Sequence, residues 1–242
     1  MEKQQWISGI KKMAPVLISY IPLGLAGGMV LSEAGFSPFG IAVMSTLVFA
    51  GAAQFMAASM ITAGASVISV IFMTFFLNLR HLLLSSSIST YLKGKKLPFL
   101  LLFSHTTADE SYAVNYTEFS KNPAWSPEEG LAVNLSGYSV WVLSTTIGGF
   151  LGRLVHIDTV LVNYVLIAMF VCMMVMQWVS AIHIVVSLVT GILSAILLKV
   201  LQHNIALVIA AIIGSTIGLL LEKRQEWPVS SLKKKERVHA DK

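Results

Sequence analysis

Charge is what this chain has least of. Asp, Glu, Lys and Arg make up 12% of its 242 residues, about half the share found in a soluble globular chain. No charged residue occurs between Ala34 and Leu79, and none between Thr159 and Leu198. Hydrophobic residues reach 55%, and the mean hydropathy is +0.76. Apolar runs of that length belong in hydrocarbon, so the composition excludes a soluble enzyme or binding module. Cysteine is nearly absent too. The single Cys172 excludes an intrachain disulfide and a multi-cysteine metal site. A glycine-lysine phosphate loop is missing, which argues against ATP hydrolysis by this chain. No metal and no cofactor are expected. Nor is a secretory signal, because the first apolar run, from Met13, is long, contains Pro22 and lacks a small-residue cleavage motif.

What charge there is has an uneven distribution. The net +5 gathers in the tail beyond Leu221, at Lys223, Arg224, Lys233, Lys234, Lys235, Arg237 and Lys242. Such a tail reads as a cytoplasmic segment beside anionic lipid. It lacks the interleaved aromatics of a nucleic-acid surface, so no nucleic-acid partner is expected. Apolar segments lie at 13–32, 39–61, 65–88, 131–152, 159–177, 181–199 and 204–221, and most have the ~17–25 residues a spanning helix needs. An eighth, 97–117, is ambiguous, since Leu97-Pro98-Phe99-Leu100 gives way to Ser104-His105-Thr106-Thr107-Ala108-Asp109-Glu110. The expectation is an all-α, polytopic membrane protein with about seven or eight membrane segments over 1–222 and a basic tail over 223–242. The positive charges place the tail in the cytoplasm and leave the N-terminal side open. Ala26-Gly27-Gly28-Met29-Val30 and Ile147-Gly148-Gly149-Phe150-Leu151 occupy matching places in the halves 1–120 and 121–222. That suggests two weakly related halves, inverted if each makes an odd number of crossings.

Against this background the polar residues stand out. Phe75-Phe76-Leu77-Asn78-Leu79-Arg80-His81-Leu82 closes the first charge-free run. At about 100° per residue, Thr74, Asn78, His81 and Ser85 form one narrow stripe, with Arg80 well off it. Such a stripe faces a water-filled cavity, or it supplies hydrogen bonds between helices. In Tyr20-Ile21-Pro22-Leu23-Gly24, Pro22 removes a backbone hydrogen bond. A helix broken there would aim a half-helix N-terminus at a carboxylate, while a simple packing kink is the alternative. Around Gln54, Phe49-Ala50-Gly51-Ala52-Ala53 is small enough for close packing or an unwound stretch. The Gln54 amide suits a zwitterion's polar head or a bond to a neighbouring helix. His105, Asp109, Tyr112 and Tyr116 share a helical spacing and would form a second polar face. Asp109 with Glu110 is then a candidate for binding an ammonium or a proton, unless the pair is a solvated helix end. Trp141, Gly148, Gly149 and Gly152 suggest a second close-packed or broken helix. His183 and His203 read as interfacial, and the Met173-Met174 region as adaptable packing. Ser85, Ser86 and Ser87 lack a nucleophile elbow, which leaves an intramembrane enzyme as a remote alternative.

Taken together, Pro22-Leu23-Gly24, Phe49-Ala50-Gly51-Ala52-Ala53-Gln54-Phe55, Leu77-Asn78-Leu79-Arg80-His81-Leu82-Leu83 and Asp109-Glu110-Ser111-Tyr112 resemble the AzlC family, large subunits of bacterial branched-chain amino acid exporters. The order and spacing match over most of the chain. Ala108 stands where Thr is usual, a mild departure. The resemblance implies a multi-pass permease of the inner membrane that exports branched-chain amino acids. It also implies a small AzlD-like membrane subunit as partner. With no phosphate loop, the energy is expected from an ion gradient, protons first. Pro22, Gly24, Gln54, Asn78, Arg80 and His81 are the candidate pathway residues, and Asp109 and Glu110 the candidate coupling or ammonium-binding pair. An uptake carrier or channel for small zwitterions is the alternative.

Overall fold

A computed structural model describes residues 3–154, 181–201 and 209–221, with single positions between 164 and 175 and at 206. Every regular element among the described residues is a helix. They are α1 Lys3–Glu33, α2 Pro38–Val48, α3 Gly51–Thr62, α4 Val67–Asn78, α5 Arg80–Ile88, α6 Leu97–His105, α7 Asp109–Lys121, α8 Pro127–Leu154, α9 Ala181–Leu201 and α10 Ile209–Leu221. The chain divides into two compact units, Met1–Leu166 and Ile167–Lys242. The boundary follows α8 and does not fall near residue 120. The basic tail, Cys172, the 159–177 segment as a whole and His203 lie outside the described residues.

The first unit is built on the pairing of α1 with α8. Their seam is made of glycine. A Cβ on Gly28 would sit 1.9 Å from Thr145 O, and one on Gly148 would sit 2.2 Å from Leu25 O. Gly9 faces Glu129, Ala132 and Val133, Gly24 faces Ser144, and Gly152 faces Met29 and Ser32. Residue numbers rise together along both helices, so the two run parallel with backbones in near contact, as small residues permit in membranes. The two glycine pairs noted in the sequence are therefore neighbours. Since α1 and α8 point the same way, an inverted relation between these two segments does not apply.

Pro22 does not break α1, which is continuous from Lys3 to Glu33 with Pro15 and Pro22 inside it. The half-helix N-terminus expected near Pro22–Gly28 is absent. Pro22 itself is exposed, so the freed carbonyl and the ring are accommodated on the helix surface, as happens in membrane helices.

The break comes instead in the 39–61 segment, which does not cross as one helix. Ser37 caps α2 by accepting from Gly40 N at 3.0 Å, with Pro38 in the first turn. α2 then runs antiparallel to α8, with Ile41 against Gly149, Ser45 against Thr145 and Phe49 against Tyr138. Phe49 adopts φ 29 and Ala50 is extended, and the chain reverses. α3 climbs back, with Gly51 against Trp141 and Phe55 against Gly27. The segment is a hairpin of two short helices of 11 and 12 residues, each about half the ~30 Å of a bilayer core.

α4, α5 and the 3-10 turn Ser89–Tyr91 form one helical run of 25 residues, Val67–Tyr91, long and apolar enough on average to cross a membrane. The join at Leu79 is only a local tightening, with Leu79 N bonded to Phe76 O and Leu82 N to Leu79 O. Such a 3-10 step inside a helix is a common hinge. The ambiguous 97–117 segment is a second hairpin. α6 rises beside α8, with Lys95 bonded to Glu128 at its foot and Phe103 near Gly130. After Thr106–Ala108 the chain reverses and α7 descends, with Glu110 at Tyr20, Asn115 at Gly130 and Glu118 at Lys12. The two hairpins enter from opposite ends of the α1–α8 pair. The opposed relation that the sequence suggested for the halves is found here between the hairpins.

In the second unit, α9 and α10 pack antiparallel, with Gly214 against Thr190 and Gly218 against Val186. Helices α1, α4–α5 and α9 are the described helices long and apolar enough to span a membrane.

Because the α1–α8 seam leaves no room for a side chain, Gly148→Val should lower the thermal unfolding midpoint of the detergent-solubilised protein. Overpacking of about 1–3 kcal/mol corresponds to a drop of several degrees in a chain of this size. Gly191→Ala, with nothing within 4 Å of the added carbon, is the matched control and should leave the midpoint unchanged. Equal midpoints for the two variants would mean that the seam is not close-packed.

Candidate functional site

A chain that turns back inside hydrocarbon must satisfy its own backbone, because no solvent will. α8 contributes at both hairpins, reaching their backbone through Tyr138 at Thr46 O and Asn134 at Phe103 O and otherwise bonding to side chains. At the first tip, Trp141 Nε1 donates to Gln54 Oε1 at 2.8 Å, and Gln54 Nε2 donates to Ser45 Oγ at 2.7 Å. Thr145 Oγ1 donates to Trp141 O at 2.9 Å, which leaves the Ser45 hydroxyl as donor in the 2.8 Å bond to Thr145. Every polar atom in that ring is used. Gln54 is buried at 1% exposure with both ends of its amide engaged, so it fixes the tip and presents nothing to a cavity. Gly24 is likewise buried, against Ser144.

Asn134 performs the matching task at the second tip. Its Nδ2 donates to Phe103 O at 3.1 Å and to Thr107 Oγ1 at 2.9 Å, and its Oδ1 accepts from Asn115 Nδ2 at 2.9 Å. Thr106 and Thr107 donate to Leu102 O and Phe103 O, and Ser111 Oγ accepts from Ala108 N at 2.9 Å. The run Ser104-His105-Thr106-Thr107-Ala108 is therefore a hydroxyl-satisfied reversal. His105 and Asp109 do not share one helix face, because they lie on opposite sides of that reversal.

The two tips touch. Thr46 O, in the last turn of α2, accepts from Tyr138 Oη at 2.9 Å and lies 2.9 Å from His105 Nε2. A carbonyl only accepts, so Nε2 carries the ring proton here.

Beside the tips the α4–α5 hinge brings the charged groups together. Arg80 Nη1 lies 2.7 Å from Asp109 Oδ2, with the side chains 28% and 36% exposed. Arg80 leaves the helix away from the predicted stripe but is long enough to reach the second tip. Glu110, next to Asp109, accepts from Tyr20 Oη at 2.8 Å. Tyr20 is near the middle of the 31-residue α1 and packs edge-on against Trp141, ring centroids 5.3 Å apart. This places Asp109 and Glu110 in the first turn of α7, beside the middle of α1. The His81 ring lies against the Thr107 backbone, near Asp109 and Glu110.

Three atoms in this cluster are buried with no hydrogen-bond partner among the described residues: Asn78 Oδ1, Arg80 Nε and His81 Nε2. Most buried polar atoms in proteins are paired. Three exceptions at consecutive stations of one hinge point to a site made for something else. Asn78 also stands at the foot of an apolar cavity of about 570 Å³ between the first hairpin and α4, walled by Met44, Val48, Ala57, Val70 and Phe75.

The structure thus gathers Asn78, Arg80, His81, Asp109 and Glu110. Gln54 and Gly24 sit in the frame behind them, and Pro22 lies on the outer surface of α1. Sequence reasoning missed Tyr20, Asn115 and Asn134. A polar residue deep in an otherwise apolar run was the available signal for Asn134.

The model of the family described as AzlC protein matches residues 15–155, the stretch from α1 to the end of α8 that contains every residue of this cluster. Among curated proteins, the chain is 29% identical over 170 residues to "Branched-chain amino acid transport protein AzlC" of Bacillus subtilis, covering 69% of this chain and 65% of that one. It is 30% identical over 149 residues to "Inner membrane protein YgaZ" of Escherichia coli, with 61% of each chain covered. An uncharacterized membrane protein of Archaeoglobus fulgidus is 35% identical over 150 residues, with 62% and 64% covered. The match spans somewhat less than two thirds of each of these relatives. No solved structure matches the chain.

Since the Arg80–Asp109 pair is half-buried, Arg80→Leu should destabilise the protein by about 1–3 kcal/mol, between the limits for exposed and buried pairs. The double variant Arg80→Leu/Asp109→Leu should recover most of that loss, because no charge is then left unpaired. Chemical unfolding of the four proteins in mixed micelles measures the cycle, and strictly additive losses would rule the pair out as an interacting unit.

Proposed function

Since this chain belongs to the AzlC family, we propose that it is a permease that carries branched-chain amino acids out of the cell, driven by protons, as the large subunit of a two-component system. The observation that carries the reading is the trio of unpartnered atoms on Asn78, Arg80 and His81, at the place where two opposed hairpin tips meet. A zwitterion has a carboxylate and an ammonium, and both need partners in a low-dielectric site. Arg80 offers its free Nε edge to the carboxylate, a planar fork suited to that shape. Asn78 Oδ1 accepts from the ammonium. The aliphatic side chain has the adjoining apolar cavity, where only van der Waals contact is on offer. Gln54, Gly24 and Pro22 serve the site indirectly, through the first tip and through α1. The carboxylates of Asp109 and Glu110 belong to proton coupling or to the ammonium.

The name of the Bacillus subtilis relative supports the substrate class. The outward direction and a small AzlD-like partner rest on the resemblance of the motifs. So does an inner-membrane location with the 1–222 region as permease domain, while a cytoplasmic 223–242 tail rests on its Lys and Arg residues. An enzyme is disfavoured, because the cluster holds no nucleophile with an adjacent base. An uptake carrier for small zwitterions is the second reading, and it uses the same three atoms with the gradient reversed.

Proteoliposomes loaded with labelled leucine test the proposal. With the small subunit present, an imposed pH gradient should drive efflux, and the large chain alone should give at most about a tenth of that rate, a difference of ~1.4 kcal/mol in barrier. Asn78→Leu and His81→Leu should each abolish efflux while membrane levels stay normal. If both leucine variants transport at the native rate, the stripe is packing and the proposal falls.

A further inference from the structure

The neighbouring carboxylates Asp109 and Glu110 are not equivalent. Asp109 is engaged by the Arg80 guanidinium at 2.7 Å. Glu110 has for its partner a neutral phenol, Tyr20 Oη, at 2.8 Å. Two carboxylates share one guanidinium at half depth, which leaves one negative charge without a counter-ion. An uncompensated charge in a low-dielectric region is costly, and two adjacent acids there do not hold two negative charges equally well. His81 stands beside Arg80, near both carboxylates. The remaining facing groups are uncharged: Tyr20 on α1, whose ring rests on Trp141 of α8, and Ser111, whose hydroxyl is occupied by the Ala108 backbone.

We propose that Glu110, held by Tyr20, is the proton-carrying carboxylate, and that Asp109 is the fixed counter-ion of Arg80. This deepens the transport reading and rests on it for the use to which the proton is put. The step is a simple protonation. A proton from the aqueous side adds to a Glu110 oxygen and gives a neutral carboxylic acid. On the other side the same O–H bond breaks and the carboxylate returns to the Tyr20 hydroxyl. Tyr20 acts as a positioning residue: its hydroxyl donates to Glu110 and ties the second hairpin to α1. When Glu110 is protonated, that tie weakens and α7 is freer to move against α1. Proton binding is thereby linked to hairpin position without any change at the Arg80–Asp109 pair.

Infrared difference spectra of the full-length protein in lipid, between neutral and mildly acidic buffer, report a protonated carboxyl group through its C=O stretch. The wild type and Asp109→Asn should show the band, Glu110→Gln should lose it, and Tyr20→Phe should shift its frequency because the hydrogen bond is gone. In proteoliposomes, the pH-driven efflux of labelled leucine should fall at least ten-fold in Glu110→Gln. A band that survives in Glu110→Gln, is missing in the wild type, or vanishes in Asp109→Asn alone overturns the assignment. So does pH-driven efflux at the native rate in Glu110→Gln. If the band behaves as expected but the wild type exchanges no amino acid, the transport reading fails and the assignment of the proton stands.

Discussion

Backbone that stops being helical inside a bilayer has to find every hydrogen bond within the protein, and this requirement organises the first unit. Two reversals at half depth create two sets of orphaned N–H and C=O groups. The remedy is one long helix, α8, that carries the polar side chains for both. At one tip Tyr138 donates to Thr46 O while Trp141 and Thr145 fix the Gln54 and Ser45 side chains, and at the other Asn134 donates to Phe103 O. α8 can stand close enough to do so because its opposite face is glycine against α1. Without that seam the tips would lie farther from their partners, and the reversals would expose amide groups at a cost of several kcal/mol each.

The same economy of polar groups separates structure from function here. In the frame, most donors and acceptors are matched, with Asn115 Oδ1 an exception at the second tip. Beside it, at Leu79, a one-residue tightening of α4–α5 brings Arg80 to Asp109 and His81 to Thr107 of the second tip, and Asn78, Arg80 and His81 each keep a buried polar atom without a partner. A helix with few buried neighbours is the element most free to shift, and α4 has no residue buried among the described ones. Rigid reversals held by α8, next to a hinge that is lightly packed, are the parts a gated pathway requires.

Several of these parts were legible in the sequence. A charge-free run that ends in Asn78-Leu79-Arg80-His81 announces a costly set of polar groups at depth, and those residues are gathered in the fold. The small-residue run at Phe49–Ala53 suggested an unwound stretch, and the reversal sits there. Other parts were hidden for physical reasons. The apolar 39–61 segment has the length of a crossing, and hydropathy does not tell one spanning helix from two half-length helices. Periodicity joined His105 to Asp109 because it assumes an unbroken helix, and the reversal at Thr106–Ala108 cancels that assumption. Pro22 pointed to a break that the exposed face of α1 absorbs. Tyr20 drew no notice because a lone tyrosine in a membrane helix is ordinary, and only its approach to Glu110, 90 positions away, gives it a role.

The anchoring of the first tip by α8 also orders events during synthesis. Gln54 receives its bond from a tryptophan 87 residues further along, and translation at about 5–20 residues per second delivers that partner some seconds later. Through that interval Gln54 lacks the donor that holds its amide oxygen at the tip. The first tip therefore reaches its full set of side-chain bonds only once α8, the last long helix of the first unit, is in place, and a nascent chain halted before residue 141 would leave Gln54 Oε1 without that donor.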